Sequence, residues 1–221
     1  MNRITNVLRK EHRLVERAAA CLDRVAEEAL ESGNLCVVSA IDLLEFFEGF
    51  VDAGHQEKEE RYLFPALLEQ SKARRRIPEL LADHRNERKV LLGIQVELER
   101  ATNGSDKGRV DFACAAREFS ALQREHAAEE DLYLLPLVEE LLDEDTERRV
   151  LEGFRRVDAT LTRSPEEFAD LVEHAARRMG SILTDTYRDT EPRPSPRYSL
   201  RSGPRARARY RSPAAPRAGS R

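Results

Sequence analysis

The chain repeats one helical hairpin twice, and the repeat dictates where its few histidines stand. Residues 55–65, HQEKEERYLFP, align without a gap with residues 126–136, HAAEEDLYLLP, and share the pattern H-x3-E-[DE]-x-Y-L-x-P. Upstream, residues 8–13 (LRKEHR) align with residues 80–85 (LLADHR). Each unit therefore offers one histidine and then a His-Glu pair, and neighbouring units of such a repeat bury a common core.

Apolar residues recur at steps of three and four, the spacing of one face of an α-helix. A first stripe runs Leu8, His12, Val15, Ala19, Leu22, Ala26, Ala29 and stops near Ser32-Gly33-Asn34. A second runs Ala40, Leu44, Phe47, Val51, His55, Glu59, Tyr62, Ala66 to about Gln70, with Pro65 expected to bend or break its last turns. The third starts near Pro78 and takes in Leu81, His84, Leu91, Gln95 and Leu98 before Asn103-Gly104-Ser105. The fourth follows Ala115, Phe119, Leu122, His126, Glu130, Tyr133, Leu137 and Leu141 past Pro136.

These four helices with short polar connections predict an all-α fold, an antiparallel up-down-up-down four-helix bundle over residues 1–143. Two shorter helices are expected in an extension at 144–190, around Glu147 to Leu161 and, after the cap-like Ser164-Pro165-Glu166-Glu167, around Pro165 to Leu183. Residues 191–221, rich in Arg, Pro and Ser, read as a disordered basic tail.

All 41 acidic residues precede Pro192, whereas nine arginines follow it, so residues 1–191 carry a net charge of −13 against +9 for the tail. An acidic body is a poor nucleic-acid binder, which confines any weak contact of that kind to the tail. The three cysteines, Cys21, Cys36 and Cys114, lie far apart without a CxxC, so they read as apolar fillers. No segment reaches the ~18 apolar residues of a spanning helix, and no signal peptide is visible. A cytoplasmic protein with no membrane contact is expected.

Residues four apart share a helix face, so His55 with Glu59, and His126 with Glu130, project together into the apolar stripes. A lone histidine on such a face is more often a structural core residue. Four of five histidines in core stripes, two with the same His-Glu spacing, make a different pattern, and an ionised core glutamate demands a positive partner. Two divalent cations would answer for both carboxylates and all four imidazoles. Imidazole plus carboxylate without thiolate suits iron, manganese or zinc better than calcium or magnesium. Outer-sphere candidates are Glu16, Glu87, Tyr62, Asp131 and Tyr133, with Arg88 one turn beyond His84. His174 reads as a surface residue.

With Glu11-His12, His55-x3-Glu59 and Leu63-Phe64-Pro65, Asp83-His84, and His126-x3-Glu130 with Pro136, the chain resembles the hemerythrin HHE cation-binding family over about residues 3 to 142. The resemblance implies a non-haem di-iron centre, with one iron on His12 and His55, the other on His84 and His126, and Glu59 and Glu130 bridging. Oxygen-carrying hemerythrins have a second histidine where this chain has Arg88, and a bridging aspartate at the spacing of Asp131, although the internal repeat favours Glu130 as the bridge. The ligand set is closer to the di-iron proteins that repair iron-sulfur clusters, which usually carry a cysteine-bearing domain ahead of the bundle, and His12 is expected to lie too near the start for one.

The expectation is a di-iron protein that binds or reacts with a small oxidant (oxygen, nitric oxide or peroxide) in sensing or stress defence. Iron-sulfur cluster repair, an iron reservoir or donor, and an interaction scaffold with a nucleic-acid-binding tail are the alternatives. The residues leave open whether there is catalytic turnover and what the oligomeric state is.

Overall fold

A computed structural model describes residues 3–69 and 73–180, and every regular element among them is helical. Helix α1 (Arg3–Glu31) ends at Gly33, whose φ of 75° closes the turn in a region that costs other residues strain. Helix α2 (Val37–Phe46) continues through a π-helical stretch (Phe47–Gln56) and a π turn (Glu59–Leu63) into α3 (Phe64–Leu68). Helix α4 (Ile77–Thr102) is followed by α5 (Asp106–Glu129), a π turn (Glu130–Leu134) and α6 (Leu135–Leu141). Helices α7 (Glu144–Asp158) and α8 (Pro165–Arg178) complete the described chain.

The polar signals act where their chemistry requires. Ser105 caps α5 by accepting from the Gly108 N–H, and Asp143 caps α7 by accepting from Thr146. Ser164 and Glu167 form a reciprocal capping box at α8.

Pro65 and Pro136 do not break their helices, so of the bend or break expected at Pro65 the break does not occur. Proline lacks an N–H and its ring presses on the carbonyl four residues back. The wider π turn relieves this: the Phe64 N–H reaches the Glu59 carbonyl, and the Leu135 N–H reaches the Glu130 carbonyl, each five residues back. The same glutamate thus supplies a backbone acceptor to the turn and a side chain to the interior.

Helices α1 and α4 both lie along α5, α2 packs on α1 and α8, and α7 packs on α1 and the Glu59–Leu63 turn. The helical bundle has two apolar cores. One gathers Val15, Leu22, Phe46, Phe47, Phe112, Phe119 and Phe168; the other gathers Ile4, Leu8, Leu63, Phe64, Leu80, Leu134 and Phe154. Between them lies a buried polar layer containing His12, His55, Glu59, His84, Glu87, Gln123, His126 and Glu130.

Helices α7 and α8 meet the bundle at glycines. A Cβ on Gly49 would stand 2.5 Å from Cζ of Phe168, and one on Gly153 would strike the Tyr62 ring. Cys21 is buried as a filler should be, but Cys114 is exposed. No helix among the described residues is long and apolar enough to cross a membrane. The last helix, expected to run to Leu183, ends at Arg178, with Gly180 at a φ of 76° just beyond it; the reach of the second stripe to Gln70 and the tail at 191–221 fall outside the described residues.

Candidate metal centre

Four helical runs each send one imidazole into the polar layer: His12 from α1, His55 from the π-helical stretch, His84 from α4 and His126 from α5. Glu59 and Glu130, the first residues of the two π turns, stand between them with no solvent exposure. The six residues form two overlapping groups, His12, His55, Glu59, Glu130 and Glu59, His84, His126, Glu130, each with ligand atoms within 4.8 Å of one another. Both carboxylates belong to both groups.

The inward atoms are the Nε2 nitrogens. His12 Nε2 is 3.2 Å and His126 Nε2 3.3 Å from Glu130, and His84 Nε2 is 3.5 Å from Glu59. His55 Nε2 is 3.7 Å from each of the two glutamates. The ring pairs His12–His55 and His84–His126 cross edge to face, at centroid distances of 4.9 and 4.7 Å. The two halves of the repeat thus present nearly the same pair of imidazoles.

The outward Nδ1 atoms each face a carboxylate. His12 Nδ1 is 2.9 Å from Asp131, His55 Nδ1 2.9 Å from Glu11 and His84 Nδ1 2.8 Å from Glu60, while His126 Nδ1 is 3.9 Å from Glu87. A carboxylate on Nδ1 fixes the tautomer and leaves the Nε2 lone pair free for a metal.

Three of these acids are held in turn. Glu11 accepts from Lys58 at 2.6 Å, Glu60 from Arg88 at 2.8 Å and Glu87 from Gln56 at 2.6 Å.

Of the outer residues expected from sequence, Asp131 and Glu87 face histidines and Arg88 acts through Glu60. Glu16 is exposed instead: it follows His12 by one turn, but the His12 ring turns toward Asp131 on the far side. Tyr62 packs over Gly153 rather than into the site. Tyr133 is half exposed, with the Arg76 guanidinium 4.8 Å from its ring. His174 is exposed on α8. Sequence reasoning assigned no role to Glu60 or Glu11, though the second acid of the repeated H-x3-E-[DE] supplies both Glu60 and Asp131.

Electrostatics describe a site in need of cations. Burial and the neighbouring Glu130 push the Glu59 carboxyl well up, while His126 and His12 outweigh burial and hold Glu130 well down. Two carboxylates so close cannot both ionise, and the pair keeps a proton. Burial opposes a charge on His12, yet Asp131 and Glu130 bring it up to about 9; His126 reaches about 10 against burial through Glu130 and Glu87. Burial lowers His84 and raises Glu87 to about 7.

All four oxygens of Glu59 and Glu130, and Nε2 of His12, are buried without a hydrogen-bond partner among the described residues. Buried polar atoms are seldom left so. A ring of imidazole nitrogens and carboxylate oxygens converging on the same interior space, with no thiolate, fits first-row divalent metal ions.

The sequence matches the family model described as the hemerythrin HHE cation binding domain over residues 3–138. Comparisons with curated proteins and with solved structures return no match.

Proposed function

The chain belongs to the hemerythrin HHE cation-binding family, and on that premise we propose that it holds two iron ions and binds or reacts with a small oxidant: oxygen, nitric oxide or peroxide. His12 and His55 would hold one iron, His84 and His126 the other, and Glu59 and Glu130 would bridge them within an antiparallel up-down-up-down bundle. The observation that carries this reading is the set of Glu59, Glu130 and His12 atoms that lie buried in the interior without a hydrogen bond among the described residues. Iron so held supplies redox chemistry and, with only six protein ligands for two ions, coordination positions open to a small molecule.

The protein's own residues do the rest. Asp131, Glu11 and Glu60 aim three Nε2 lone pairs inward, and the two apolar cores above and below exclude bulk water. The Glu59–Glu130 pair holds a proton until cations replace it. Arg88 turns away toward Asp52 and Glu60, so α4 contributes a single imidazole. That arrangement supports sensing or stress defence over reversible oxygen carriage.

The test is iron content and optical spectrum of the full chain beside a His55→Ala/Glu59→Ala variant. About two irons per chain with near-ultraviolet charge-transfer absorption, altered by nitric oxide or peroxide and lost in the variant, are expected. A folded chain with no iron, or with iron indifferent to the variant, would refute the reading.

A further inference from the structure

Two lines of alternating charge run outward from the site, and they are built alike. In one, Glu60 Oε1 lies 2.8 Å from His84 Nδ1 and 2.8 Å from the Arg88 guanidinium, which pairs in turn with Asp52. In the other, Glu11 divides its oxygens: Oε2 lies 2.9 Å from His55 Nδ1 and Oε1 accepts from Lys58 at 2.6 Å. Lys58 completes an ion pair with Asp158 at 2.6 Å. Both lines read imidazole, carboxylate, cation, carboxylate.

They differ in where they end. Asp52 lies inside the family-matched segment, whereas Asp158 is the last residue of α7, beyond residue 138. They differ also in burial, since the Lys58 side chain is 2% exposed, with the Phe154 ring of α7 6.0 Å from its ammonium, against 30% for Arg88. The more buried line is therefore the one closed from outside the family-matched segment.

The Lys58 ammonium is held between two carboxylates, Asp158 on one side and Glu11 Oε1 on the other, which fixes Glu11 with its Oε2 against His55 Nδ1. An imidazole backed by a charged carboxylate is a more basic and better oriented metal ligand. We propose that Asp158 is a positioning residue of the metal centre: it anchors the buried Lys58 ammonium that holds Glu11 in place against His55, so that α7 governs how firmly the His12–His55 position holds its cation. The inference rests on the two-cation reading above.

The test loads the full-length protein with iron(II) without oxygen and follows its release to a colorimetric chelator, with circular dichroism confirming the fold. In Asp158→Asn, one of two release phases should accelerate about tenfold, the scale of such outer-sphere losses, while the other keeps its rate. Asp52→Asn should accelerate the other phase. Lys58→Met removes the cation that Glu11 and Asp158 share and should accelerate the same phase as Asp158→Asn. That variant also decides the matter if Asp158→Asn does not fold, because a merely structural ion pair would leave both release phases at their wild-type rates. Wild-type release from folded Asp158→Asn, or from folded Lys58→Met, would overturn the inference and leave the two-cation reading standing. A wild-type chain that takes up no iron would instead overturn both.

Discussion

His84 and His126 face one another Nε2 to Nε2 at 2.9 Å. Two lone pairs or two N–H groups would repel at that distance, so the atoms share a proton, and a cation on either must displace it.

Metal uptake should therefore release protons. At pH 7 His12, raised to about 9, and His126, raised to about 10, are protonated without metal, and Glu59 is neutral. Loading in weak buffer with a pH indicator should report about three protons per chain. Release of none would mean that these groups are not the ligands.

The same shifts set the stability of the metal-free protein. Both histidines have folded values above the ordinary 6.5, so the stabilisation they give is complete below pH 6.5 and is lost as pH rises through 9 and 10. Thermal unfolding with chelator present should show Tm falling across that interval. Metal-loaded protein, which holds these imidazoles neutral, should lose stability on acidification instead.

Removing a carboxylate behind a ligand should weaken metal without unfolding the bundle. Glu60→Gln and Asp131→Asn, which loosen His84 and His12, are expected to cost 10- to 100-fold in affinity on the usual scale of such contacts. Competition with a chelator of known affinity measures it. Glu16→Gln, at an exposed position, should leave affinity unchanged.

The glycine contacts of the last two helices predict a separate, structural effect. Gly153→Ala would drive a methyl into the Tyr62 ring and should cost about 1–3 kcal/mol, with partial recovery in Gly153→Ala/Tyr62→Leu. Phe168→Ala, which empties a fully buried site against Phe50 and Gly49, should cost about 3–5 kcal/mol. Chemical denaturation of the metal-loaded chain reads both, and equal stability to wild type would mean that α7 and α8 are not docked as described.

The helices and the six inward residues were legible because they repeat: a 3.6-residue stripe and a doubled H-x3-E leave little choice of face. Asp131 was an outer candidate, but Glu60, the matching acid of the other half, was given no role, because each serves the histidine of the other half and only the packing reveals that crossing. Tyr62 and Tyr133 looked equivalent for the same reason. Lys58 received no reading from the sequence, since nothing local announces that Asp158 lies against it. The π turns escaped too: Pro65 signals a disturbed helix, but an added residue in the turn and a broken turn look alike in one dimension.

Tyr62 and Tyr133 occupy the same place in the repeat, yet one lies under α7 and the other stands in solvent beside Leu132. What began as two interchangeable hairpins now has unequal freedom to change. The second helical run answers to two surfaces at once, the interior site and the segment laid over it: α8 at Gly49, the α7–α8 connection at Gly54 and α7 at Tyr62. The fourth, at the corresponding Tyr133, meets the Arg76 guanidinium 4.8 Å from the ring and leaves that residue half exposed. Over evolutionary drift the outer surface of the fourth run can be rewritten cheaply, whereas the corresponding surface of the second must vary together with α7 and α8 or not at all.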